Sequence, residues 1–152
     1  MELSPEIKYY MDKSVLCWLA TASQDNIPNV SPKEIFTHYK NDQIIIANIA
    51  SPQTVKNIKE NPNVCLSFIE IFVQKGYQLK GKARIIHPTD AEYEAMEASL
   101  LVMTKGQFPI KNIIAIIVNK AKPIIAPRYL YYPNTTEKMQ IDDAKNYYIS
   151  KI

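Results

Sequence analysis

Apolar and polar positions alternate along this chain with two periods, and each period marks its own elements. Ile44-Ile45-Ile46 is a β-branched run that suits a buried strand. Val15 to Ala22 is a compact apolar strand, and Asn112 to Val118, reaching toward Lys122, is another. From Tyr77 to Ile86 the alternation is clean. Tyr77, Leu79, Gly81, Ala83 and Ile85 point one way, and Gln78, Lys80, Lys82 and Arg84 point the other. A strand over about Val64 to Val73 precedes it, with a turn at Gln74-Lys75-Gly76. A further strand is expected from about Ile27 to Tyr39. Pro28 and Pro32 lie within it, so part of it must be an edge or a bulge.

The helical period appears three times. Ser4-Pro5 opens a short helix with Ile7, Tyr10 and Met11 on one face. Pro88-Thr89-Asp90 opens another, in which Tyr93, Met96, Leu100 and Met103 form an apolar stripe that Gly106 ends. Between them lies Ser51-Pro52, where serine stands at an N-cap position and proline at the first helical position. Pro62 stops that helix. The amides of Gln53 and Thr54 at its start have no partner within the helix, and with the helix dipole they suit an anion such as phosphate. Ser51 and Thr54 can add hydroxyls. The plainer alternative is that Ser51 caps the helix and Thr54 faces water.

Tightly linked strands are mostly antiparallel. Six of them with few helices predict a mainly β, α+β fold, a six-stranded antiparallel barrel. Residues 123–152 carry three prolines and Tyr129, Tyr131 and Tyr132 before a weak helix over Asp142 to Ile149. This segment reads as an arm that packs on the barrel or on a second subunit.

Composition narrows the function. The 152 residues suit one domain, 1–152. A net charge of +3, with 18 basic and 15 acidic residues interspersed, argues against nucleic acid. Only 3 glycines are present, which excludes Gly-rich phosphate loops. Cys17 and Cys65 sit in apolar runs and read as free buried thiols of a cytoplasmic protein. No membrane span or secretory leader is expected, and no spacing suggests a metal. His38 and His87 are assigned no catalytic role.

The opening strands VLCWLATASQDNIPNVSPK, the turn IANIASPQTVKNIKENPNVCLSF, the strand GYQLKGKARI and the closing helix and strand span about Val15 to Lys122. In that order they resemble the pyridoxamine 5′-phosphate oxidase-like family of flavin-binding split barrels. The resemblance implies a six-stranded split barrel, and a homodimer with FMN at its interface. It implies that Val30, Ser31, Pro32 and Lys33 run beside the flavin ring. Ala47 and Asn48 would touch the ring or ribityl chain, and Ser51, Gln53 and Thr54 would hold the phosphate. Lys33 is the candidate for stabilising the reduced flavin. The oxidase pattern has basic residues where this chain has Gln53 and Thr54. The tail has Arg128 but no histidine, so the substrate is expected to differ from pyridoxine phosphate. The expected function is a flavin-dependent oxidoreductase acting on a small molecule. The alternatives are an electron-transfer flavoprotein, a deazaflavin-dependent reductase and a small β-barrel nucleic-acid binder.

Overall fold

The computed structural model describes residues 1–152. Its elements are α1 (Pro5–Lys13), β1 (Cys17–Ala22), β2 (Pro28–Lys33), β3 (Phe36–Tyr39), β4 (Gln43–Asn48), α2 (Pro52–Glu60), β5 (Asn63–Glu70), β6 (Lys75–Ile86), α3 (Tyr93–Thr104), β7 (Asn112–Ile125), α4 (Pro127–Tyr131) and α5 (Glu137–Ile149). All strand pairs are antiparallel, in the order β2-β1-β5-β6-β7-β4-β3.

The sheet is a mainly β split barrel with flanking helices, but it has seven strands where six were expected. The difference lies at Glu34-Ile35. There the single strand expected from Ile27 to Tyr39 breaks into β2 and β3, which occupy opposite edges of the sheet. The chain between them bridges the split, so the sheet curls round without pairing its two edges. Pro28 and Pro32 both fall in β2, on an edge, where a missing N–H is tolerated.

β6 and β7 are the longest strands and bend together. Their register shifts between Lys80 and Gly81, because Lys80 faces Lys120 while Gly81 faces Val118, which leaves Asn119 as the extra residue of a bulge. A Cβ on Gly81 would lie 2.2 Å from the carbonyl oxygen of Ile117, so only glycine fits at this bend. The turn before β6 comes earlier than expected. Residues 71–74 make it, Gln74 takes the left-handed conformation, and the Glu70 carboxylate accepts from the amides of Phe72 and Val73.

Two apolar clusters fill the interior. The larger joins α1 through Ile7, Tyr10 and Met11 to Leu19, Ile44, Leu66, Phe68 and Leu79. The smaller packs Tyr93, Met96 and Leu100 of α3 against Ile45, Ile86 and Ile113. Cys17 is buried as expected. Cys65 is half-buried, because it points to the outer face of β5. The segment after β7 holds the expected closing helix, which begins earlier, at Glu137, and a short helix α4 before it that was not expected. In it, the Tyr129 hydroxyl donates to the Val73 carbonyl at 2.8 Å, and that of Tyr148 to the Ile71 carbonyl at 2.9 Å.

Candidate functional site

The start of α2 gathers most of the residues singled out from the sequence. Ser51 precedes Pro52 as expected, yet its side chain makes no cap bond. Its hydroxyl accepts from the Lys33 ammonium instead. Its amide donates to the Asn48 side-chain oxygen at 3.1 Å, and Asn48 is fixed in turn by donating to Asn112 at 2.9 Å. The amides of Gln53 and Thr54 find no acceptor in the chain. Thr54 does not face water. It is 1% exposed, and its hydroxyl lies 3.3 Å from that of Ser31.

α2 is seated by a polar key. Asn57, 1% exposed, donates to the Thr21 hydroxyl at 3.0 Å, and its side-chain oxygen accepts from the Gln53 side-chain Nε2 at 2.8 Å. This link ties the first turn of the helix to β1.

Lys33 is the one cation at this start. It is 7% exposed and no carboxylate pairs with it. Burial lowers its pKa. Nearby Cys17 supplies no counter-charge, since burial pushes that thiol up to about 12. An ammonium held out of water with only a hydroxyl for company favours an anion beside it.

A pocket of about 270 Å³ opens next to this cation. It is lined by Pro32, Lys33, Ala47 and Ser51, together with Glu34, Ile35, Ile49, Ala50 and Phe108. The structure thus brings Pro32, Lys33, Ala47 and Ser51 to one cavity, and Ser31 and Thr54 to one another. Val30 and Gln53 are exposed, and Asn48 lies buried as a strut. Sequence reasoning missed Phe108. Its signal was a large aromatic in the short Gly106–Pro109 loop, where no apolar period required one.

The decisive comparison is with protein families. The model of the family described as pyridoxamine 5′-phosphate oxidase matches residues 3–125. The chain belongs to this family. The match ends where β7 ends, so it covers the whole sheet of this pyridoxamine 5′-phosphate oxidase family member and leaves out α4 and α5. Solved structures share the fold. HupZ of Group A Streptococcus is similar at 23% identity and TM-score 0.68, covering 78% of this chain and 91% of that one. A putative pyridoxamine 5′-phosphate oxidase of Lactobacillus delbrueckii is similar at 20% identity and TM-score 0.66, covering 80% and 93%. An FMN-binding protein of Syntrophomonas wolfei is similar at 18% identity and TM-score 0.65, covering 77% and 82%. No curated protein matches the sequence.

In this family member the donor set at α2 has a definite chemistry. The open Gln53 and Thr54 amides, the Ser51 hydroxyl and the Lys33 ammonium lie around the first turn of α2, and no carboxylate pairs with Lys33, although Glu34 lines the same cavity. Such a set fits a phosphate, with one positive charge where a dianion calls for more.

Proposed function

We propose that the chain is an FMN-binding flavoprotein that works as a flavin-dependent oxidoreductase on a small molecule, as a homodimer with the flavin at the interface. One observation carries the reading: the unpaired amides of Gln53 and Thr54 stand beside a buried ammonium that lacks a counter-ion. The fold shared with an FMN-binding protein of Syntrophomonas wolfei supports it. The free thiols Cys17 and Cys65 support a reducing, cytoplasmic setting, and no helix is long and apolar enough to cross a membrane.

On this reading the Gln53 and Thr54 amides, the hydroxyls of Ser31, Ser51 and Thr54, and Lys33 hold the phosphate. β2 is an edge strand, so Val30 to Lys33 offer main-chain groups to the polar rim of the ring. Ala47 gives the ring a flat apolar wall, Asn48 braces the turn, and Phe108 shields the mouth of the pocket from water. Bound FMN would supply hydride and electron transfer. The residues of the chain bind it, orient it and exclude solvent.

The test is a spectrum followed by a titration. The purified protein should be yellow, release FMN on heating, and bind FMN at least about tenfold more tightly than riboflavin, because the phosphate contacts are charge-assisted. A preparation that binds neither compound refutes the flavin reading. Equal affinities would move the phosphate away from α2. Oxidation of a reduced nicotinamide with an added acceptor separates an oxidoreductase from an electron carrier.

A further inference from the structure

The bulge in β7 changes which of its residues face outward. Before Asn119, Ile114, Ile116 and Val118 lie in the larger core, and Ile113 and Ala115 lie on the outer face beneath α3. Strict alternation would carry Lys120 and Lys122 into the core. The extra residue reverses the parity. Ala121 packs on the core instead, and Lys120 and Lys122 turn outward, opposite Lys80 and Gln78. Gly81, where only glycine fits, permits the bend. Bulges of this kind re-aim side chains beside functional sites.

The lysines so aimed surround a hollow. Lys80, Lys120, Lys122 and Gln78 alone line it, and its volume is about 230 Å³. A water's share of liquid volume is about 30 Å³, so the hollow has room for a polyatomic ligand. No carboxylate pairs with any of the three lysines, nor with Lys82, the next lysine on this face of β6. Cys65 faces Lys80 from β5, but burial pushes its thiol up, so it supplies no counter-charge. Lys80 and Lys120 stand directly opposite each other, an arrangement that weakens a sheet. A basic stripe on one strand is ordinary solvated surface. A bulge that turns two more lysines against that stripe gives the fold nothing until an anion fills the space between them.

We propose that the hollow between Lys80, Lys120 and Lys122 is a binding site for a diphosphate group. A single phosphate carries about two negative charges near neutral pH, fewer than three ammonium groups supply. Two linked phosphoryl groups match them, and Gln78 adds amide donors to the same oxygens. The diphosphate is either free or carried by a nucleotide. Ser67 faces Gln78 at the edge of the hollow and borders an apolar groove of about 410 Å³, in which Trp18 is 48% exposed. A nucleotide would lay its base on that ring. Ser31 and Lys33 lie on the other side of the sheet, in the rows of the buried Leu19 and Cys17. The site therefore stands apart from the flavin cradle and does not rest on it.

Thermal melts with added pyrophosphate test it. A hundredfold excess over Kd should raise the melting temperature of wild type by roughly 5 °C, and added salt should shrink the shift. Orthophosphate should bind at least about tenfold more weakly. The variant Lys80→Gln with Lys120→Gln and Lys122→Gln should melt no lower than wild type without ligand, since it relieves like-charge pairing, and should lose the shift. Lys120→Gln alone should weaken pyrophosphate about tenfold, and Lys120→Arg should restore it. Lys33→Met should keep the shift in full, whether or not FMN is bound. ADP that binds more tightly than pyrophosphate and quenches Trp18, the sole tryptophan, makes the ligand a nucleotide. Equal affinities with Trp18 unchanged make it free diphosphate, and either result upholds the site. No shift in wild type, a shift that survives in both Lys120→Gln and the triple variant, or orthophosphate binding as tightly as pyrophosphate overturns it. So does a single-stranded oligonucleotide that binds this face and that pyrophosphate fails to displace.

Discussion

Ser-Pro opens two helices in this protein, and the two starts differ in everything beyond the dipeptide. At α1 the Ser4 hydroxyl accepts from the Ile7 amide at 3.2 Å, which closes the helix end. At α2 Ser51 turns away to Lys33 and leaves the Gln53 and Thr54 amides open. The buried faces differ in the same sense. α1 buries Ile7, Tyr10 and Met11, whereas α2 buries Thr54, Asn57 and Ile58. α1 is a structural helix held by apolar area. α2 is held partly by directional bonds, which cost stability but fix orientation. A dipeptide sets where a helix begins. The tertiary surroundings decide whether its end is sealed or left to bind.

Removing the main anchor of each helix tests this division. Ile7→Ala should cost about 3 kcal/mol in urea unfolding, the transfer term plus the cavity left in the larger core. FMN affinity of the folded protein should not change. If I7A weakened FMN as much as it weakened the fold, α1 would belong to the site. Asn57→Ala should cost less, about 2 kcal/mol, from the buried Thr21 hydroxyl left without its donor. It should also weaken FMN severalfold by loosening the first turn of α2. Unaltered FMN affinity in N57A would make the polar key irrelevant to ligand binding.

Much of this architecture was legible along the chain, and the misses share a physical cause. Both Ser-Pro starts, the alternation through β6 and the Tyr93, Met96 and Leu100 stripe of α3 are local patterns, and they stand where expected, whereas Met103 is exposed and Thr104 takes the buried place at the end of that helix. The break at Glu34-Ile35 was not legible. Phe36 leaves its neighbours in sequence to pair with Ile46, and no residue at the break is a turn former. The burial of Thr54 was hidden for the same reason, since its partner Ser31 lies 23 residues upstream. Prolines on both sides make a threonine there read as surface. The outer face was half-visible. Lys80 and Lys82 read as a basic stripe, but only the β6–β7 register adds Lys120 and Lys122 to it. Through β5 and β6, Trp18 falls in the row of Lys122.

The two serines give a smaller effect with a clear contrast. Ser4→Ala should cost about 1 kcal/mol, the usual loss of an N-cap bond. Ser51→Ala should change stability by less than about 0.5 kcal/mol, because it caps nothing. Its effect belongs on FMN affinity. Equal destabilisation by S4A and S51A, measured side by side by chemical unfolding, would erase the distinction between the two starts.

The smallest expected signal is a proton, and it comes from Lys33. Burial lowers its pKa, so the folded chain holds this proton less tightly than the unfolded chain does. Between the lowered value and the ordinary lysine value the unfolded state binds more protons, and this residue makes stability rise with pH across that window. An anion seated beside the ammonium favours the charged form and lifts the pKa back. FMN phosphate is already fully ionised at alkaline pH, its second pKa being about 6, so it takes up no proton there. Binding above the lowered pKa must therefore draw a fraction of one proton from solvent onto Lys33. Calorimetric titrations in two alkaline buffers of different ionisation enthalpy should give different apparent enthalpies for wild type. They should give the same enthalpy for Lys33→Met. Identical enthalpies in wild type would separate Lys33 from the phosphate. If K33M then lowered the flavin midpoint potential at unchanged FMN affinity, the ammonium would belong beside the ring.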